Sequence, residues 1–192
     1  ISIDGTTQEV YEQYRVGGNL EKVIEGARQM VKWKKALHSK TPFIIFQFLV
    51  VKPNEHQVAE IKALGKEIGV DAVWFKTAQV YDYENDPNQL ITTLDSYSRY
   101  KKNAAGKMVP KGKMENHCWK LWHANVITWD GLVVPCCFDK DATHQLGNLK
   151  TQSFKETWNN DNYKQFRKEL MQSRKNIDIC ANCSEGLTVW ED

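Results

Sequence analysis

The sequence predicts an α/β domain followed by a small α+β domain, and two observations carry that expectation. Strand-like and helix-like patterns alternate between Ile1 and Tyr83. Four of the five cysteines stand in two distant pairs in the second half of the 192 residues. A βαβαβ alternation implies parallel strands covered by helices. Cysteine pairs so far apart meet only where a folded domain brings them together.

The elements follow in order. Ile1 to Ile3 reads as a strand entering a loop at Asp4-Gly5. Leu20, Val23, Ile24, Ala27 and Val31 recur at helical spacing, and Pro42 stops the helix. The run Phe43 to Val51 is apolar and rich in aromatic and β-branched residues, as a strand buried on both faces would be. Asn54 with Gln57 resembles a capping box. It precedes a helix buried through Val58, Ile61, Leu64 and Ile68, which Gly69 ends. Asp71 to Lys76 predicts another short buried strand. Residues 1–83 are therefore one domain. Residues 84–117 are polar and turn-rich, with Asp86-Pro87-Asn88, Asn103 and the Lys107–Lys113 stretch, and predict a linker. Its lysines, with Lys101 and Lys102, suit an acidic partner or a solvated connector.

Residues 118–192 form the second domain. Val126–Trp129 and Leu132–Val134 flank Asp130-Gly131, a strong hairpin signal. Ser153 with Glu156 predicts a capping box on a short helix carrying Phe154 and Trp158. Tyr163, Phe166, Leu170 and Met171 mark a second amphipathic helix. Trp119, Trp122, Trp129 and Trp158 are expected to pack this domain, and Trp190 to make a docking contact.

Bulk properties narrow the function. The net charge of +2 provides no single-sign surface to drive nucleic-acid binding. The longest apolar run is too short to cross a bilayer, so no membrane partner is expected. An odd cysteine count with CxxC spacing favours metal over disulfide and a reducing, cytoplasmic setting.

The cysteines carry the chemistry. Twelve residues separate Cys118 from Gly131, and four more precede Cys136; Cys180 and Cys183 are two apart. The hairpin places Cys118 before its first strand and Cys136 beyond its second, while Cys180 and Cys183 share one turn. Four thiolates suit Zn²⁺ or a [4Fe–4S] cluster alike, and spacing alone does not choose. A redox dithiol at Cys180 and Cys183 is a weaker reading, because no thioredoxin-like pattern surrounds it.

The surrounding residues resemble a known family. Cys118, Trp129-Asp130-Gly131, Leu132-Val133-Val134, Pro135-Cys136-Cys137, Leu146-Gly147-Asn148-Leu149, Phe154 with Trp158-Asn159, and Cys180 with Cys183 together resemble the SPASM domain of radical SAM enzymes. Ser2-Ile3-Asp4-Gly5, Arg15, the Phe43 strand and Gly69-Val70-Asp71 resemble the latter strands of that family's partial (β/α) barrel. The resemblance implies an auxiliary [4Fe–4S] cluster on Cys118, Cys136, Cys180 and Cys183. It implies S-adenosylmethionine contacts at Ser2, Asp4 and Arg15. With four matched cysteines rather than seven, the pattern resembles the shorter twitch variant. Cys137 is the spare thiol, with a ligand swap with Cys136 as the alternative.

The CxxxCxxC motif that holds the S-adenosylmethionine-cleaving cluster does not occur among these cysteines. The chain is therefore expected to be part of a larger oxidoreductase or maturase, with no catalytic residue of its own and inactive alone. In the intact enzyme the resemblance implies a second [4Fe–4S] cluster, a peptide, protein or sugar-like alcohol substrate, and a flavodoxin or ferredoxin donor. The alternative is a non-catalytic zinc-binding interaction module. Gln47 either lines the barrel interior or pairs with backbone. Lys76 and Thr77 end a strand on the face where such barrels place active sites, though strand-end lysines are commonly just solvated. His117 and His123 flank Cys118 and fit packing roles better than ligation.

Overall fold

In a computed structural model of the chain, residues 1–112 and 114–183 are described. Lys113 and Trp190 lie outside the described residues. The architecture is mixed α/β, in two compact units, Ile1–Lys111 and Gly112–Asp192.

The first unit runs α1 (Gln8–Tyr14), α2 (Leu20–Ala36), β1 (Ile45–Val50), α3 (Val58–Ile68) and β2 (Ala72–Thr77). β1 and β2 pair in parallel, from Ile45 opposite Ala72 to Val50 opposite Thr77. Ser2 makes a parallel bridge to Gln47. Ile3 N–H donates to Gln47 O at 3.0 Å, and Gln47 N–H to Ile1 O at 2.8 Å. Both bonds use the Gln47 main chain. Asn19 caps α2 through Lys22 N–H at 2.9 Å. Gly69 ends α3 at φ +87°, a conformation that suits glycine.

Several local expectations change. β1 buries Phe46, Phe48 and Val50 on one face, while Ile45, Gln47 and Leu49 are only half-buried. β2 is not a buried strand: Trp74 and Lys76 are exposed. β1 is its partner in the sheet, so its outer edge is a sheet edge. Asn54 does not cap α3. It is buried, accepts from Val51 N–H at 2.8 Å and donates to Asp4 O at 3.0 Å and Leu49 O at 2.9 Å. Tertiary acceptors outcompete the helix end for this amide.

The stretch expected to be a linker carries β3 (Tyr100–Lys102) and β4 (Met108–Pro110), an antiparallel hairpin. Polar composition hid it, because its order comes from distant partners. Tyr100 Oη accepts from Val80 N–H at 2.8 Å, and Arg99 Nε donates to Thr77 Oγ1 at 2.8 Å. The Glu55 carboxylate accepts from Thr92 Oγ1, Thr93 N–H and Thr93 Oγ1 at 2.5, 2.6 and 2.6 Å. Burial raises the Glu55 pKa, but these donors outweigh it and hold the group below its ordinary value. Lys101, Lys102 and Lys107 are solvated.

The second unit contains β5 (Val126–Ile127), β6 (Leu132–Val134) and β7 (Gly147–Asn148), then α4 (Phe154–Asn159), α5 (Asp161–Gln172) and α6 (Asp178–Ala181). The strands form an antiparallel β5-β6-β7 sheet. The hairpin turn is one residue longer than Asp130-Gly131 implies. Thr128 N–H donates to Leu132 O at 2.9 Å and Gly131 N–H to Thr128 O at 3.0 Å, with Gly131 at φ +89°. That is a three-residue connection with glycine in the left-handed position. The Ser153–Glu156 capping box forms in full. Tyr163, Phe166 and Leu170 are buried as expected, but Met171 is exposed. Trp129, at the hairpin tip, is 98% exposed, and Trp122 is also exposed. Tryptophans therefore contribute less to this core than expected. Val133, Leu146, Ile177 and Ile179 take a share of it.

Candidate metal centre

Each expected ligand sits where a chain segment changes direction. Cys118 is extended and leads into a 3₁₀ turn, Trp119–Trp122. Cys136 follows β6 after Pro135, and its carbonyl accepts from Asp139 N–H at 3.2 Å. Cys180 lies in α6, and Cys183 N–H donates to Cys180 O at 3.2 Å, so one turn carries both. Cys180 and Cys183 are buried, Cys118 and Cys136 partly buried, and Cys137 exposed. Cys118 and Cys136 pack on the same hydrophobic cluster that contains Cys180.

Two further contacts hold these segments. The buried Asp139 carboxylate accepts from Thr143 N–H, Thr143 Oγ1 and His144 N–H at 2.8 to 2.9 Å, ordering the loop after Cys136. His144 Nε2 then meets Asp178 Oδ1 at 2.6 Å, joining that loop to the start of α6.

The thiols influence one another. Burial pushes the Cys136 thiol up to about 11, with Cys137, Cys183 and Cys118 adding to the rise. Burial pushes Cys180 up to about 12; Arg174 opposes the shift, and Cys136, Cys183 and Cys118 reinforce it. Without a metal these thiols hold their protons at neutral pH, and ligation releases them. Among the described residues, no three or more His, Cys, Asp or Glu side chains have the geometry to hold a single metal ion.

The residues fit a thiolate-held group. The four donors are soft sulfurs: Cys118, Cys136 and Cys180 sit on one apolar cluster, and Cys183 is buried. The buried Tyr163 phenol has the Asn125 side chain as a polar neighbour. Burial is the main cause that raises the Tyr163 phenol, and Cys136 is among the neighbours that add to it. His117 Nδ1 faces Glu115 at 3.5 Å, and His123 packs edge-on to Trp119.

Residues 118–184 match the family model of SPASM, an iron–sulfur cluster-binding domain. The chain is similar to radical SAM enzymes that carry a SPASM domain. Over 78 residues it is 37% identical to an S-adenosyl-L-methionine-dependent 2-deoxy-scyllo-inosamine dehydrogenase of Niallia circulans, covering 40% of this chain and 31% of that protein. Over 186 residues it is 24% identical to a tungsten-containing aldehyde ferredoxin oxidoreductase cofactor-modifying protein of Pyrococcus furiosus, covering 83% of this chain and 51% of that one. The chain thus spans about half or less of the curated relatives it matches. A crystal structure of selenomethionine BtrN in an open conformation aligns at TM-score 0.33 and 16% identity, over 86% of this chain and 65% of that one.

In the first unit, Asp4 and Arg15 of the expected cofactor contacts come together. Arg15 Nε donates to Asp4 Oδ2 at 2.6 Å, and Leu49 N–H to Asp4 Oδ1 at 2.7 Å. The Asp4 carboxylate is buried and both of its oxygens are engaged. Ser2 lies on the bridge to Gln47. Among the described residues, no helix is long and apolar enough to cross a membrane.

Proposed function

We propose that this chain is part of a radical SAM oxidoreductase or maturase, and that Cys118, Cys136, Cys180 and Cys183 hold an auxiliary [4Fe–4S] cluster. The observation that carries the reading is the coincidence of the family match over residues 118–184 with Cys118, Cys136 and Cys180 on one core and Cys183 buried one turn from Cys180. Such a cluster supplies a one-electron acceptor for a substrate radical. The chain's own residues bind and shield it. Pro135 and the loop ordered by Asp139 set Cys136, the 178–183 turn sets the CxxC pair, and the apolar cluster excludes water.

The first unit is read as the latter βα units of a partial (β/α) barrel. The parallel β1–β2 pair and the flanking Ser2 bridge support this. With both Asp4 oxygens engaged, its part near S-adenosylmethionine is to orient Arg15 and the backbone at Leu49. Ser2, Asp4 and Arg15 are the contacts proposed for that cofactor in the intact enzyme, which also needs a second cluster. The substrate is a peptide, a protein or a sugar-like alcohol, and the electron donor a flavodoxin or ferredoxin. This chain alone carries no activity, and a cytoplasmic setting suits its thiols.

The test is anaerobic reconstitution with iron and sulfide, followed by iron counting and Mössbauer spectroscopy. Four irons in one cluster, lost in Cys118→Ala and Cys183→Ala, is the expected result. No cluster, with one tightly held zinc instead, overturns the reading.

A further inference from the structure

The first unit carries a cavity of its own, of about 550 Å³, a volume that suits a small organic ligand or one residue of a larger one. Its walls come from Lys52, just past the carboxyl end of β1, from the segment that follows β2, and from the β3–β4 hairpin. Parallel strands covered by helices bind ligands on this side, because the loops leaving the strands converge there.

The walls are fixed without a ligand. Asp86 and Gln89 stand at φ +41° and +48°, two of four non-glycine residues with positive φ among those described. Left-handed backbone costs energy for such side chains and persists only where surrounding contacts hold it. Those contacts are present. Asp86 Oδ1 accepts from Leu90 N–H at 2.8 Å, and Oδ2 from Ile91 N–H at 2.9 Å. Lys52 N–H donates to Leu90 O at 3.2 Å, which ties the end of β1 to the same loop. The Glu55 carboxylate holds Thr92 and Thr93. On the hairpin, Lys102 stands opposite Met108 and two residues from Tyr100, so the three share one face. The Tyr83 ring stacks on Tyr100 with centroids 5.1 Å apart and lines the cavity.

The charges of the lining select a ligand. Lys52 Nζ donates to Gln89 Oε1 at 3.1 Å, and neither Lys52 nor Lys102 pairs with a carboxylate among the described residues. The Asp86 charge is met by its two N–H donors. That leaves two ammonium groups and the Glu84 carboxylate along the lining, a balance that favours a monoanion over a dianion. Tyr83, Ile91 and Met108 supply an apolar wall beside them.

We propose that this cavity binds the substrate by a carboxylate: Lys52 and Lys102 hold the anion, while Tyr83, Ile91 and Met108 cover the apolar body that bears it. Peptides and proteins carry such a group and simple sugar-like alcohols lack it. The inference rests on the proposed function for calling the ligand a substrate.

The full chain is titrated with phenylacetate, with the neutral phenylacetamide and with phenyl phosphate, and amide shifts are followed by two-dimensional NMR. Phenylacetate should give saturable shifts at the Lys52, Ile91, Thr93 and Lys102 amides, with a Kd on the order of 1 mM for a fragment of this size. The other two probes should each bind about threefold more weakly or worse. Lys52→Met and Lys102→Met should each weaken phenylacetate about threefold, as loss of a partly exposed ion pair does. Lys101→Met, one residue along β3 and on its opposite face, should leave the Kd unchanged. An amide or a phosphate that binds as tightly as phenylacetate overturns the inference, and this comparison uses wild type, so it decides even where a variant misfolds. Equal weakening by Lys101→Met reveals a general charge effect and overturns it too, as does the absence of saturable shifts at these amides. None of these readings needs a cluster. A chain that binds phenylacetate here yet assembles no [4Fe–4S] cluster keeps the site and loses the proposed function.

Discussion

Replacing Asn54 with Ala tests whether the loop carrying Asp4 is held as the structure implies. The Asn54 side chain is almost fully buried and makes three hydrogen bonds, to Val51 N–H, Asp4 O and Leu49 O, at 2.8 to 3.0 Å. Alanine removes all three and leaves one donor and two acceptors facing an apolar surround. Each unsatisfied buried group costs about 1–3 kcal/mol. Water entering the space left by the amide would satisfy part of the set, so the expected loss is about 3 kcal/mol. For a unit of this size that corresponds to a fall in Tm of roughly 12 °C. Asn54→Asp is the informative partner. It keeps the acceptor for Val51 N–H but turns a carboxylate toward two carbonyl oxygens, and should be at least as damaging as alanine. The assay is urea unfolding of the full chain, with hydrogen exchange at the Leu49 and Val51 amides to assign the loss to this unit. A loss below about 1 kcal/mol in Asn54→Ala, with those amides still protected, would refute the reasoning.

Two further outcomes follow from the same kind of reading. Gly147→Ala places a Cβ 2.5 Å from Thr157 Cγ2 and 2.8 Å from its Oγ1, so β7 must shift from the sheet that carries Cys136. Overpacking of this kind costs about 1–3 kcal/mol, and thermal unfolding should show it along with slower iron loading. Glu55, depressed below its ordinary value of 4.5 by Thr92 and Thr93, stabilises the folded form above that pH. The contribution is lost as pH falls through the lower folded value. In Glu55→Gln, stability between neutral and acid pH should vary less than in wild type, as denaturant midpoints measured across that range will show.

The division between sequence and tertiary structure can be drawn residue by residue. The Ser153–Glu156 capping box, the Gly69 helix end and the positive φ of Gly131 were readable because each depends on neighbours a few residues away. The cysteine spacing suggested the candidate donors for the same reason: soft ligands at those intervals restrict the chemistry before any fold is known. What a side chain finds across the fold was not readable. Asn54 looked like a helix cap and instead holds the Asp4 loop. Residues 84–111 looked like a linker and carry a hairpin fastened to Glu55, Thr77 and Val80. Trp129 looked like core and is solvated at a hairpin tip. Arg174, one cation among many in the sequence, became distinct only when folding buried it among the carbonyls of His117, Cys180 and Cys183. Local patterns encode backbone conformation and donor chemistry because those act over a few residues. Burial and long-range hydrogen bonding depend on which segments meet, and only the folded chain decides that.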